Sequence, residues 1–198
     1  MLNFFQIHWQ EIVGTLLGFL YLYYELKAHK AMFPTGILMS VFYVGVFFSS
    51  HFYAFACINF YFIFAQLYAW WKWQKNPDQE EAPLRHTPMK SWILVTPFTA
   101  ILFALLWWIL LQAPQESAVA WGDSLITTLS IVAIWMLAQH YIEQWLPLIV
   151  ANGFSVFLFY SQGLYPTTVL YFVYFVASFI GYAKWVKIAR MAKIKTKI

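Results

Sequence analysis

Ser91-Trp-Ile-Leu-Val-Thr-Pro-Phe-Thr-Ala-Ile-Leu-Phe-Ala-Leu-Leu-Trp-Trp-Ile-Leu-Leu-Gln112 runs its whole length without an Asp, Glu, Lys, Arg or His. A bilayer core is crossed by about 20 apolar residues in a helix. A helix of this length in water would need a polar face, and this stretch has none. It reads as a transmembrane helix. Its unbroken apolarity also excludes the alternating pattern of a membrane barrel strand.

Working outward, the same reading recurs on both sides. Apolar runs at 8–26, 33–49 and 52–73 precede 91–112, and runs at 122–139, 145–160 and 166–186 follow it, which makes seven expected spans. Over the 198 residues, hydrophobic types make up 62% and charged types 10%. Soluble domains average about 45–50% and about 25%. With a mean hydropathy of +0.63, the chain has too few charges to cover a soluble globule, and it is too apolar to stay disordered. The expected fold is an all-α, multi-pass membrane protein, one transmembrane domain over 1–198 embedded in the lipid bilayer.

The loops orient it. Lys27 and Lys30 fall between spans one and two. Lys72, Lys75, Arg85 and Lys90 lie around the loop between spans three and four, and Lys184, Lys187, Arg190, Lys193, Lys195 and Lys197 close the chain. The N-terminus, Ser50–His51, Gln112–Gly122 and Ser161–Pro166 hold no Lys or Arg. The positive-inside rule places the N-terminus outside and the C-terminus inside, with 187–198 a basic cytoplasmic tail. The net charge of +4 is spread over short loops and that tail, so no basic face for nucleic acid is expected. Met1–Gln10 carries no Lys or Arg, and no secretory signal is expected.

Enzyme chemistry finds no support. Cys57 is the sole cysteine, and His8, His29, His51, His86 and His140 are scattered, so neither a disulfide nor a metal centre is expected. No G-x-S-x-G, H-E-x-x-H or phosphate-binding glycine loop is present, and no cofactor is expected.

Aligned on itself at an offset of 112, the chain matches without gaps. Ser49-Ser-His-Phe-Tyr53 faces Ser161-Gln-Gly-Leu-Tyr165, and Lys72-Trp73-Gln-Lys75 faces Lys184-Trp185-Val-Lys187. Phe60 meets Phe172, Ala65 meets Ala177, Glu11 meets Asp123 and Thr15 meets Thr127. Residues 8–73 and 122–186 then form two three-helix halves of like topology, joined by 91–112. This 3+1+3 parallel repeat is a carrier architecture, whose substrate site is expected between the halves near the midplane.

Polar residues within spans are costly and tend to face the protein interior. Helical spacing collects Glu11, Thr15, Gly18, Leu22 and Glu25 in span one, and Asp123, Thr127, Ser130 and Ile134 in span five. In span three it collects Asn59, Gln66, Trp70 and Trp73. In span six the stripe is Trp145, Leu148, Asn152, Ser155 and Phe159, and in span seven Tyr171, Tyr174, Ser178, Tyr182 and Trp185. Plainer readings compete with a functional one. Interfacial placement accounts for Glu11, Glu25 and Asp123, and an aromatic belt at the cytoplasmic boundary for Trp70, Trp71, Trp73 and Trp185. Gly14-xxx-Gly18 reads as helix packing, and Asn59 and Asn152 as interhelical hydrogen bonds. Trp145 and Asn152 together go further. They offer a stacking face and an amide that donates and accepts, which suits a flat aromatic ligand with a polar edge.

These residues resemble the PnuC-type vitamin transporters over about 9–187. The aromatic-rich ends Leu67-Tyr-Ala-Trp-Trp-Lys-Trp73 and Ile180-Gly-Tyr-Ala-Lys-Trp185 and the acidic opening Asp123-Ser-Leu-Ile-Thr-Thr-Leu-Ser130 are similar to theirs. The most specific likeness is Glu143-Gln-Trp145-Leu-Pro-Leu148-Ile-Val-Ala-Asn152, which resembles the family's W-x-x-W-x-x-x-N signature with Leu148 at the second Trp.

The resemblance implies a bacterial inner-membrane uptake carrier for a B-type vitamin, working by facilitated diffusion and expected to be a homotrimer. Trp145 and Asn152 would contact the ligand's ring and polar edge, helped by Asn59, Gln66, Tyr171, Tyr174, Leu148 and Asp123. Members with the full signature are associated with nicotinamide riboside, the default expectation. Leu148 keeps thiamine, or another flat vitamin such as riboflavin, as the alternative. A membrane enzyme, an interaction protein without transport, and a channel are the other classes; inward aromatic stripes would obstruct a channel's pore.

Overall fold

The computed structural model describes residues 2–49, 53–74, 84–112, 117–161 and 165–195. Among them every regular element is helical. The order is α1 (Leu2–Leu26), α2 (Met32–Ser49), α3 (Tyr53–Gln74), α4 (Met89–Leu110), α5 (Ser117–Ala138), a 3-10 turn (Ile142–Gln144), α6 (Trp145–Ser161) and α7 (Tyr165–Lys195). Ser50, His51, Lys75, Pro77, Pro83, Pro114, most of the Ser161–Pro166 loop and the last residues of the tail lie outside the described residues. So do the side chains of Glu11 and Cys57.

Each expected span corresponds to one helix, but three ends differ: α5 starts at Ser117 rather than at 122, inside the expected break. α1 starts at Leu2 rather than at 8, and α7 runs on to Lys195, through most of the expected tail. Ala, Lys, Arg and Met dominate that extension, and all are strong helix formers. Ala189, one turn past Trp185, is buried and anchors it. Among the described residues, four helices are long and apolar enough to cross a bilayer: Met89–Leu110, Ala120–Ala138, Ile142–Ser161 and Thr168–Ala192. Val13–Leu26 and Met32–Val46 are apolar but shorter.

The chain divides into two compact units, Met1–Ala82 and Pro83–Ile198. In the first, α2 packs against both α1 and α3. Gly14 permits the close approach of α1, because a Cβ there would collide with the Tyr43 hydroxyl. Gly36 does the same for α3, since a Cβ there would collide with the Gln66 amide. Where α2 begins and α3 ends, Phe33 meets Trp73 edge-on, with ring centroids 5.2 Å apart at 74°. Both rings are fully buried.

In the second unit, α6 packs against α5 and α7, and α4 against α5. Where α6 begins, Trp145 meets Trp185 of α7 edge-on at 5.6 Å and 87°. A Cβ on Gly181 would lie 2.5–2.6 Å from the Trp145 ring. Trp145 and Trp185 stand 112 residues after Phe33 and Trp73, and Gly181 stands 112 after the buried Ala69. The joint recurs with its volumes traded: a larger ring is set against a smaller neighbour. Trp73 and Trp185 are therefore core residues and not members of an aromatic belt, because ring-to-ring packing removes them from any interface. Trp71 is exposed.

The helix ends recur as well. After α1, Ala28 takes φ 51°, and after α5, His140 takes φ 63°. Ala28 N–H donates to the Glu25 carbonyl (2.9 Å) and His29 N–H to that of Tyr24 (3.0 Å). His140 N–H donates to Leu137 (2.9 Å) and Tyr141 N–H to Met136 (3.0 Å). Both are Schellman caps, which satisfy carbonyls that a helix end would otherwise leave bare. They lie 112 residues apart.

The second cap is strapped by the segment ahead of α4. Arg85 N–H donates to the His140 carbonyl (3.0 Å), and Ile142 N–H to that of Arg85 (3.1 Å). The Glu143 carboxylate pairs with His86 Nδ1 (2.7 Å) and accepts from the Thr87 N–H and hydroxyl (both 2.8 Å). α4 itself buries Val95, which packs with Trp92, Val132, Met136 and Tyr141. Ile93, Leu94, Phe98, Ile101 and Trp108 are exposed along it, as a helix against hydrocarbon would have them.

Candidate functional site

Pro147 stands in the first turn of α6, where its missing N–H costs no hydrogen bond, so the helix proceeds unbroken through the span. That sets Leu148, Asn152, Ser155 and Phe159 along one stripe. Asn152 is half-buried and reaches α7: its Nδ2 donates to Ser178 Oγ at 3.1 Å. Ser178, itself buried, donates its hydroxyl proton to the Tyr174 carbonyl at 2.7 Å. The next turns are aromatic. Tyr174 meets Tyr171 edge-on at 5.9 Å, and Tyr171 meets Phe159 at 5.0 Å. An amide, a hydroxyl and a run of rings therefore form one continuous face across α6 and α7. Ser155 is satisfied within its own helix by the Ala151 carbonyl (2.9 Å).

The remaining expected residues of this unit are Trp145 and Leu148, on the α6 stripe, and Asp123, on α5. Trp145 is 1% exposed against Trp185 and Gly181, and its indole N–H has no hydrogen-bond partner among the described residues. Trp185 meets one side of the Trp145 ring edge-on, with centroids 5.6 Å apart. Leu148 is half-buried, and Asp123 is half-buried on α5.

In the first unit, Asn59 and Gln66 share a face of α3 two turns apart. Asn59 is half-buried. Gln66 is 3% exposed, lodged against Gly36, and its Oε1 has no partner among the described residues. A buried acceptor left without a donor is costly, so Gln66 is the most conspicuous polar group of this unit.

Sequence reasoning placed Ser178 in the span-seven stripe without giving it a role. The repeat held the signal. At the offset of 112, Ser40 corresponds to Asn152 and Gln66 to Ser178. Each half thus carries one amide and one hydroxyl at the same two places, exchanged between helices. Among the described residues no group of three or more His, Cys, Asp or Glu comes together to hold a metal. Lys72 and Lys184 are the only basic residues within the expected spans, both near their ends.

The family model described as "Nicotinamide mononucleotide transporter" matches residues 8–187. The nicotinamide riboside transporter PnuC of Escherichia coli (strain K12) is 28% identical over 211 residues, covering 94% of this chain and 88% of that protein. The protein of the same name from Shigella flexneri matches with the same figures. Among solved structures, the crystal structure of the vitamin B3 transporter PnuC matches with a TM-score of 0.77 at 20% identity, over 96% of this chain and 85% of that one.

Proposed function

We propose, because the chain belongs to the nicotinamide mononucleotide transporter family, that it is a membrane uptake carrier whose substrate is nicotinamide riboside. The observation that carries this reading is the family match across residues 8–187, which takes in every expected span and the whole α6–α7 face. Charge favours the riboside over its phosphorylated form. A phosphate dianion buried in a span needs a cation beside it, and the spans offer only Lys72 and Lys184 near their ends. The riboside is flat, singly cationic and hydroxylated, suited to tyrosine faces, amides and a carboxylate such as Asp123.

The carrier works by facilitated diffusion with alternating access, in a 3+1+3 arrangement with the N-terminus outside a bacterial inner membrane. No nucleotide-binding motif or mid-span carboxylate pair supports energy coupling. Phosphorylation of the vitamin in the cytoplasm would then drive net uptake. Asn152 meets the polar edge of the ligand, and Tyr171 and Tyr174 supply ring faces. Thiamine is the second reading, favoured by Leu148 at the place of the signature's second Trp.

Calorimetric titration of the purified chain with nicotinamide riboside and thiamine side by side tests the substrate. Counterflow of labelled vitamin in proteoliposomes tests transport. Nicotinamide riboside is expected to bind and exchange, and Asn152→Ala to weaken its binding by about 1–3 kcal/mol, the cost of an unpaired buried partner. Binding of thiamine alone would replace the substrate, and absence of counterflow for both would end the carrier reading.

A further inference from the structure

An amide presents two different edges, and hydrogen positions decide which one a ligand meets. The chemistry around Ser178 decides it here. Two oxygens 2.7 Å apart need a proton between them; the Tyr174 carbonyl has none, so the proton is the Ser178 hydroxyl's own. That hydroxyl has a single proton, so toward Asn152 it can only accept. The Asn152 atom 3.1 Å away must then be the NH2 group, as observed. The Asn152 carbonyl oxygen is left turned away from Ser178, with no hydrogen-bond partner among the described residues.

We infer that Ser178 is a positioning residue which locks the Asn152 amide with its acceptor toward the substrate, and so selects a ligand edge that carries a hydrogen-bond donor. The inference rests on the proposed carrier function and deepens it. A carboxamide meets the requirement through its NH2. The corresponding carboxylic acid has no donor at neutral pH and sets an anion against the Asn152 carbonyl. The chain therefore discriminates nicotinamide riboside from nicotinic acid riboside, two molecules of nearly equal shape. Ser178 reads none of this directly; it acts by denying Asn152 the flipped rotamer.

Titration of both ribosides into the purified full chain and its variants tests this, the readout being the ratio of the two affinities. Ser178→Ala frees the amide to flip and is expected to lower the amide-over-acid ratio about tenfold, the size of one hydrogen bond. Ser178→Thr keeps the hydroxyl and is expected to restore the ratio. Adding Ser178→Ala to Asn152→Ala is expected to change nothing further. A packing role alone would weaken both ligands alike and leave the ratio intact, and that outcome overturns the inference. A ratio that survives Asn152→Ala also overturns it, because selection would then run through another group. If Ser178→Ala is not recovered folded, Ser178→Cys, close in size and a poor acceptor, reads the same ratio. Failure of the unaltered chain to bind either riboside overturns the nicotinamide riboside reading of the substrate, and this inference with it.

Discussion

Ala28 and His140 adopt a left-handed backbone that costs a residue with a Cβ roughly 1–2 kcal/mol. Ala28 is also fully buried, so its methyl group is worth something in place, about 0.8 kcal/mol. Ala28→Gly relieves the first and loses the second, and a net gain of about 0.2–1.2 kcal/mol is expected. Ala69 is equally buried but lies inside α3, where Ala69→Gly loses helix propensity and methyl together, about 1–2 kcal/mol. Thermal unfolding of the two variants in detergent compares them directly; an equal loss at both positions would mean that Ala28 carries no strain. Neither cap was legible as such. Leu26-Lys-Ala-His29 contains no Gly or Pro, and only the charges of Lys27 and Lys30 marked a turn there. Asn152 was legible as a buried amide, with an interhelical hydrogen bond as the plain reading, and it forms one. Which atom it donates from depended on the Ser178 proton, which no residue pattern records.

The packing of α6 on α7 is decided by a ring and a missing side chain. Gly181→Ala drives a Cβ into the Trp145 ring and is expected to destabilise the protein by about 1–3 kcal/mol. Adding Trp145→Phe installs the pairing used by Phe33 and Ala69 and should recover most of that loss. A double-mutant cycle by thermal unfolding reads the coupling, and purely additive losses would rule out the shared joint. The sequence alignment matched Trp73 with Trp185 but left both at the membrane boundary, because a tryptophan near a span end looks the same whether it faces lipid or core. Only contact with Phe33 and Trp145 separates the two. α7 overran its expected end for a related reason: basic residues mark where a span leaves hydrocarbon, and helix propensity carries the helix past that point.

For the whole molecule, charge distribution makes the firmest statement. Basic residues at 27–30, 72–90 and 184–197 should stay in the cytoplasm. A fluorescent protein fused to the C-terminus is expected to fluoresce in a bacterial host, and a periplasm-dependent phosphatase at the same place to be inactive. An active phosphatase would invert the topology. The strap through Arg85, His86 and Thr87 belongs to the same side under this reading, holding the turn from which α6 and its Asn152 set out.

From composition and apolar run length came the membrane class and the helical spans, because lipid forces the backbone into helices and apolar length counts them. The polar and aromatic residues of α6 and α7 were visible as stripes for the same reason: helical periodicity is local. What the tertiary structure decided was which members of a stripe meet. Asn152 joins Ser178, Tyr174 and Tyr171 in one face, while Trp145, on the same stripe, is closed off by Trp185 and Gly181. A stripe specifies a direction from its own helix. Whether that direction ends on an open face or on a neighbour's ring depends on the volumes brought there by another helix, and those meet only when the chain has folded.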